Sequence, residues 1–158
     1  QMTIDYQKNI TDTINQIDAE NGVVIFGAGR GGWYIRRVLE YFEIPINCFI
    51  DNDKAKHGTY EGYSVVSPSD ALSQYPSATV FVGILNPSNL GLVKNQLSVL
   101  GYKTINTEID AFLFSFFTQV VNRGVEHVAY AQSLELYFHK AYYFSKVSGS
   151  GKGALSSF

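Results

Sequence analysis

The sequence is poor in the residues that build disulfides and metal centres. It holds one cysteine and three histidines in 158 residues, too few for a disulfide framework and too scattered for a metal cluster. Cys48 lies in the apolar run Ile46-Asn47-Cys48-Phe49-Ile50, which predicts a buried structural thiol. A basic surplus is also missing, since the formal net charge is −2. With no basic stripe to neutralise phosphates, the composition argues against a nucleic-acid partner. No apolar run approaches the length of a membrane span. Residues 1–20 are polar and acidic and do not read as a signal peptide. The expectation is a cytoplasmic protein.

What the sequence does have is glycine in a particular order. The run Val23-Val24-Ile25-Phe26 leads straight into Gly27-Ala28-Gly29-Arg30-Gly31-Gly32, and a helical pattern follows at once. The next apolar run ends in Asp51, about 20 residues on, as in the glycine fingerprint of a nucleotide-binding βαβ unit. In that reading Gly27 permits the tight turn, Gly29 lets a phosphate approach the backbone, and Gly32 lets the helix pack close to the strand. Amides at the helix start, aided by the helix dipole, would face the anion. Asp51 would accept hydrogen bonds from ribose hydroxyls.

The rest of the chain continues the alternation. Residues 3–18 carry isoleucines at helical spacing, and a helix over 31–42 is expected to bury Trp33, Ile35, Val38, Leu39 and Phe42. The segment 51–66 is too rich in glycine and polar residues for helix, with Tyr63–Val66 a short extended piece. Ser67-Pro68-Ser69-Asp70 starts a helix, and 78–85 reads as a strand buried on both faces. A helix opened by Asn86-Pro87-Ser88 sets Leu90, Val93, Leu97 and Leu100 on one face before Gly101 ends it, and 103–106 reads as the last strand. The expected fold is α/β: a Rossmann-like, doubly wound parallel sheet of about four strands over residues 1–108. Residues 109–147 follow as an aromatic α-helical hairpin, and 148–158 as a linker-like tail. The hairpin's stripe of Phe112, Phe116, Phe117, Tyr137, Phe138 and Tyr142 exceeds what a small sheet needs on one face. It predicts a homodimer or packing against another domain.

These residues resemble the Rossmann-like N-terminal domain of bacterial surface-polysaccharide proteins, namely bacillosamine-type nucleotide-sugar acetyltransferases and proteins carrying FkbM-type methyltransferase modules. The resemblance runs through Phe26–Gly29, Phe49–Asp53, Lys56–Pro68 and Val80–Pro87, within residues 20–106. It implies a uridine nucleotide-sugar site in which Gly27, Gly29, Arg30 and Gly31 face the phosphates and Asp51 the nucleoside. The acetyltransferase's hexapeptide repeats and a methyltransferase module are both absent from this sequence, so the resemblance implies binding without either chemistry. The expected ligand is a UDP-sugar or NAD, and the expected site comprises Gly27, Gly29, Arg30, Gly31, Gly32 and Asp51.

Each of these residues has a plainer reading. Arg30 is either a phosphate partner or a solvated helix-start residue. Asp51 is either a ribose acceptor or a turn former that bonds the amide of Asp53. His57 reads first as a surface loop residue, and Asn86 first as a helix cap. Tyr142-x-x-x-Lys146 mimics the dehydrogenase Tyr/Lys pair on an aromatic helix, with no strand arrangement to bring it to a nicotinamide. S-adenosylmethionine enzymes usually carry an acid before the first glycine, where this chain has Ile25 and Phe26. The Ser148-Gly149-Ser150-Gly151-Lys152-Gly153 run lacks the offsets of a phosphate loop.

Overall fold

Three short runs of β-branched and aromatic residues form the middle of the sheet, and all are closed to water on both faces. They are β1 (Val23–Phe26), β2 (Cys48–Ile50) and β5 (Thr79–Val82), in which every residue but Thr79 is buried. Continuous apolarity is what a parallel strand covered on both sides requires. The computed structural model describes residues 6–123. Outside the centre lie β3 (Gly58–Tyr60), β4 (Tyr63–Val66) and β6 (Thr104–Asn106), giving a six-stranded sheet in the order β3-β4-β2-β1-β5-β6. All pairs are parallel except β3 with β4.

Helices cover both faces, so the sheet is doubly wound. Val24, Phe26, Cys48, Ile50, Val80 and Val82 share one face with Ala71 of α3 (Pro68–Gln74) and Val93 and Leu97 of α4 (Pro87–Leu100). The alternating residues Ile25, Phe49 and Phe81 are equally buried on the other face, where α2 (Arg30–Tyr41) packs with Gly32 against Phe49. Each such side chain contributes about 1.5–3 kcal/mol by leaving water. On α2 the buried apolar set is Tyr34, Ile35, Val38 and Leu39, while Trp33 and Phe42 stay half-buried.

Helix starts follow local chemistry. Ser67 Oγ accepts the Asp70 amide at 3.1 Å, and Asn86 Oδ1 accepts the amides of Ser88 and Asn89 at 2.9 and 3.3 Å. Both helices carry proline in the first turn. Asn86 is thus the cap that the sequence suggests.

Two further expectations need correction. The sheet has six strands rather than about four, because the polar segment after β2 holds a hairpin. Its two-residue turn, Glu61-Gly62, has positive φ at both positions (53° and 84°), the twist a tight hairpin needs. The parallel connection from β2 to β4 therefore passes through a 3-10 turn (Lys54–Lys56) and an antiparallel strand instead of a helix. Arg36 clips this hairpin to α2: it binds Glu40 at 3.0 Å and Glu61 at 3.6 Å, and Tyr63 donates to Glu40 at 2.9 Å. The second correction is Leu100, which is exposed while Val93 and Leu97 are buried.

Residues Ile14–Ile109 cluster as one compact unit, and a second contains most of α1 (Tyr6–Asn15) and of α5 (Ile109–Arg123). On α5, Ile109, Phe112, Leu113 and Phe116 are buried at i, i+3, i+4, i+7 spacing. Tyr137, Phe138, Tyr142, Lys146 and the 148–158 tail lie outside the described residues. Among the described residues no helix is long and apolar enough to cross a membrane.

Candidate functional site

Strand order reverses beside β1, with β2 on one side and β5 on the other, and a crevice opens there at the carboxyl ends of the strands. Such a switch point is where ligands bind in open α/β sheets. The crevice holds a cavity of about 460 Å³ whose walls include Gly27, Gly29, Asp51, Lys56 and Gly83. That volume lies within the range of small-molecule sites.

The glycine turn is built by backbone approach. Gly27, at φ 107°, leaves β1, and its amide donates to Ile50 O at 2.8 Å. A Cβ on Gly31 would overlap the Gly83 carbonyl, and a Cβ on Gly32 would overlap the Gly27 carbonyl. Gly83 faces Gly31 and Gly32 in return, and its amide donates to Phe26 O at 2.7 Å. Three glycines thus let the start of α2 lie directly on the ends of β1 and β5.

Gly29 is different. It adopts extended backbone at the N-cap of α2, and among the described residues the only atom within 4 Å of a built Cβ is Lys56 Nζ, at 3.8 Å. Its carbonyl is fixed from two sides, by the Trp33 amide at 2.8 Å and the Tyr60 hydroxyl at 3.2 Å. No side chain caps α2, and its first turn carries no acid. Among the described residues the first-turn N–H groups of this helix therefore have no capping side chain, and the Lys56 ammonium stands beside Gly29 at the helix start.

Asp51 is buried at the tip of β2 and spends both carboxylate oxygens on backbone. Oδ2 accepts the Ala28 amide and Oδ1 the Asp53 amide, each at 2.9 Å. The turn-forming reading of this residue is therefore realised, and it extends to the glycine loop itself. His57 Nε2 donates to the Asp51 carbonyl at 2.8 Å, so this histidine braces the same loop.

Of the six residues expected from sequence, Gly27, Gly29 and Asp51 line the cavity. Gly31 and Gly32 are buried behind it, and Arg30 is exposed outside its walls. The sequence reading did not single out Lys56, Gly83, Asn52 or Gln96. Gly83 carried a usable signal, a glycine at the end of a buried strand, which marks close backbone approach. Lys56 carried none, because its place opposite Gly29 depends on the 3-10 turn. Among the described residues no group of His, Cys, Asp and Glu could hold a metal ion.

The site and sheet define a doubly wound α/β protein with a glycine turn at its switch point. No family model matches this chain, and no curated protein or solved structure does either.

Proposed function

We propose that the crevice binds a nucleotide or nucleotide sugar, with its phosphate seated over Gly29 between the first turn of α2 and the Lys56 ammonium. The observation that carries this reading is the contrast among the glycines. Gly31 and Gly32 are closed in by backbone, whereas Gly29 opens toward one cationic side chain. An open glycine at a helix N-terminus with a lysine beside it suits an oxyanion. Asp51 can still receive a ribose hydroxyl at the cavity wall, because each carboxylate oxygen has more than one acceptor direction. UDP-sugars and NAD are the ligands to try first. A surface-polysaccharide role rests on the resemblance of residues 20–106 alone. The reading is a binding module without catalytic groups of its own.

Calorimetry against UDP-sugars, NAD, ATP and inorganic pyrophosphate tests it. Saturable binding that falls about tenfold in Lys56→Ala is expected, the size of one lost charge-assisted contact. A folded sample that binds none of these compounds removes the proposal.

A second reading has its own support. Both Asp51 oxygens and three glycines serve packing, which is what a scaffold that has lost its ligand would retain. Gly29→Val separates the two. Its backbone is extended and its Cβ site open, so the variant folds. In a binding protein it abolishes phosphate affinity, and in a scaffold it changes nothing.

A further inference from the structure

A second cavity, of about 250 Å³, adjoins the first, and both are walled by Asp51, Asn52 and Gln96. Asn52 stands on the loop after β2, and Gln96 on α4. Their carboxamides form a reciprocal pair: Asn52 Nδ2 donates to Gln96 Oε1 at 2.8 Å, and Gln96 Nε2 donates to Asn52 Oδ1 at 2.7 Å. This pair is the shared wall of the two compartments and ties the two banks of the crevice together across 44 positions of sequence.

On α4, Leu92, Gln96 and Leu100 follow one another at i, i+4, i+8, so they share a stripe. Leu92 lines the first cavity and Leu100 the second, with Gln96 between them. Both leucines are exposed, at 70% and 38%. The stripe thus offers apolar surface on either side of one polar group, and that polar group is neutral and planar.

We infer that Asn52 and Gln96 are a base-reading pair, which exchanges its mutual hydrogen bonds for those of a nucleobase seated along the Leu92–Leu100 stripe. The inference rests on the nucleotide reading above and names the part of the ligand that this region recognises. Each carboxamide presents a donor and an acceptor side by side, and so does the edge of a nucleobase. Asn and Gln make this two-bond pairing with adenine, and single bases are read in the same way along their exposed edges. A base brings flat apolar faces for the leucines and a polar edge for the amides. In the free protein the two amides satisfy each other, so the reader stands assembled without a buried unpaired group.

The test uses the full chain and calorimetry with the four nucleoside 5′-monophosphates, ribose 5-phosphate and inorganic pyrophosphate. The wild type should bind at least one nucleotide about tenfold or more tighter than ribose 5-phosphate. In Asn52→Ala and Gln96→Ala that ratio should collapse toward one. Because the pair is solvent-exposed, both variants should melt close to the wild type, and melting curves verify this. If ribose 5-phosphate binds and the nucleotides bind no tighter, or if the variants keep the ratio, the base-reading inference falls and the phosphate site stands. If no compound binds a folded wild type, the proposed function falls and this inference with it.

Discussion

Asp51 Oδ2 accepts the amide of Ala28 at 2.9 Å, so the acid at the end of β2 holds the glycine turn that follows β1. The bond joins residues 23 apart in sequence and is buried. Because the other oxygen holds the Asp53 amide, one side chain sets two loops at once. Asp51→Ala leaves a buried N–H without an acceptor and should cost about 2–4 kcal/mol of stability, since bonds to a charged group contribute about 1.5–3 kcal/mol each. Urea denaturation measures it. Asp51→Asn keeps one acceptor oxygen but turns an NH2 donor toward the second amide, so it should retain one of the two bonds and still lose stability.

The glycines should separate cleanly by stability. Alanine at Gly31, Gly32 or Gly83 would place a Cβ against backbone that cannot give way. Each variant should lose several kcal/mol, in the range of severe overpacking or worse, and fail to accumulate as folded protein. Gly29→Ala should melt within a few degrees of the wild type. Equal behaviour of all four in a melting series would contradict the packing described above.

Tyr102 gives the sheet unit an alkaline limit. Its hydroxyl donates to Pro68 O at 2.8 Å, and burial, with a smaller push from Cys48, raises its pKa to about 12 from 10.0. A folded-state pKa above the unfolded one means that this stabilisation is complete below pH 10 and lost as pH rises toward 12. Tyr102→Phe should therefore flatten the decline of stability with pH in that window. It should also cost about 1–3 kcal/mol at neutral pH, since Pro68 O loses its donor.

Cys48 should behave as a silent thiol. It sits in β2, and burial pushes its pKa up to about 11. Thiolate is the reactive form, so a disulfide reagent at pH 8 should label the native protein at the rate of unfolding. Labelling as fast as a free thiol would show that β2 is open to solvent.

How much of this was legible beforehand depended on whether a signal was local. β1, β2 and β5 announced themselves as apolar runs, and Asn86 and Ser67 as caps, because those effects act within a few residues. β4 was legible as the extended piece Tyr63–Val66, but β3 and the hairpin it forms were missed for a local reason: the turn is Glu61-Gly62, a weaker cue than Asn-Gly. Lys56 and the Asn52–Gln96 pair were hidden for another. Exposed polar side chains carry no periodicity, and only the closed sheet brings residue 52 to residue 96. Asp51 was legible as an important acid, but its two backbone partners were only half foreseen.

The interlocking of Gly31, Gly32 and Gly83 bears on how such a chain can diverge. A descendant that ceased to bind a ligand would still need those three positions small, because a methyl group there collides with main chain whatever the crevice holds. The glycine signature would outlive the activity it usually advertises. Gly29 is under no such obligation, and its neighbourhood admits larger residues as soon as nothing has to approach. Across related sequences, drift at position 29 beside fixed glycines at 31, 32 and 83 would mark lineages where the crevice has fallen idle.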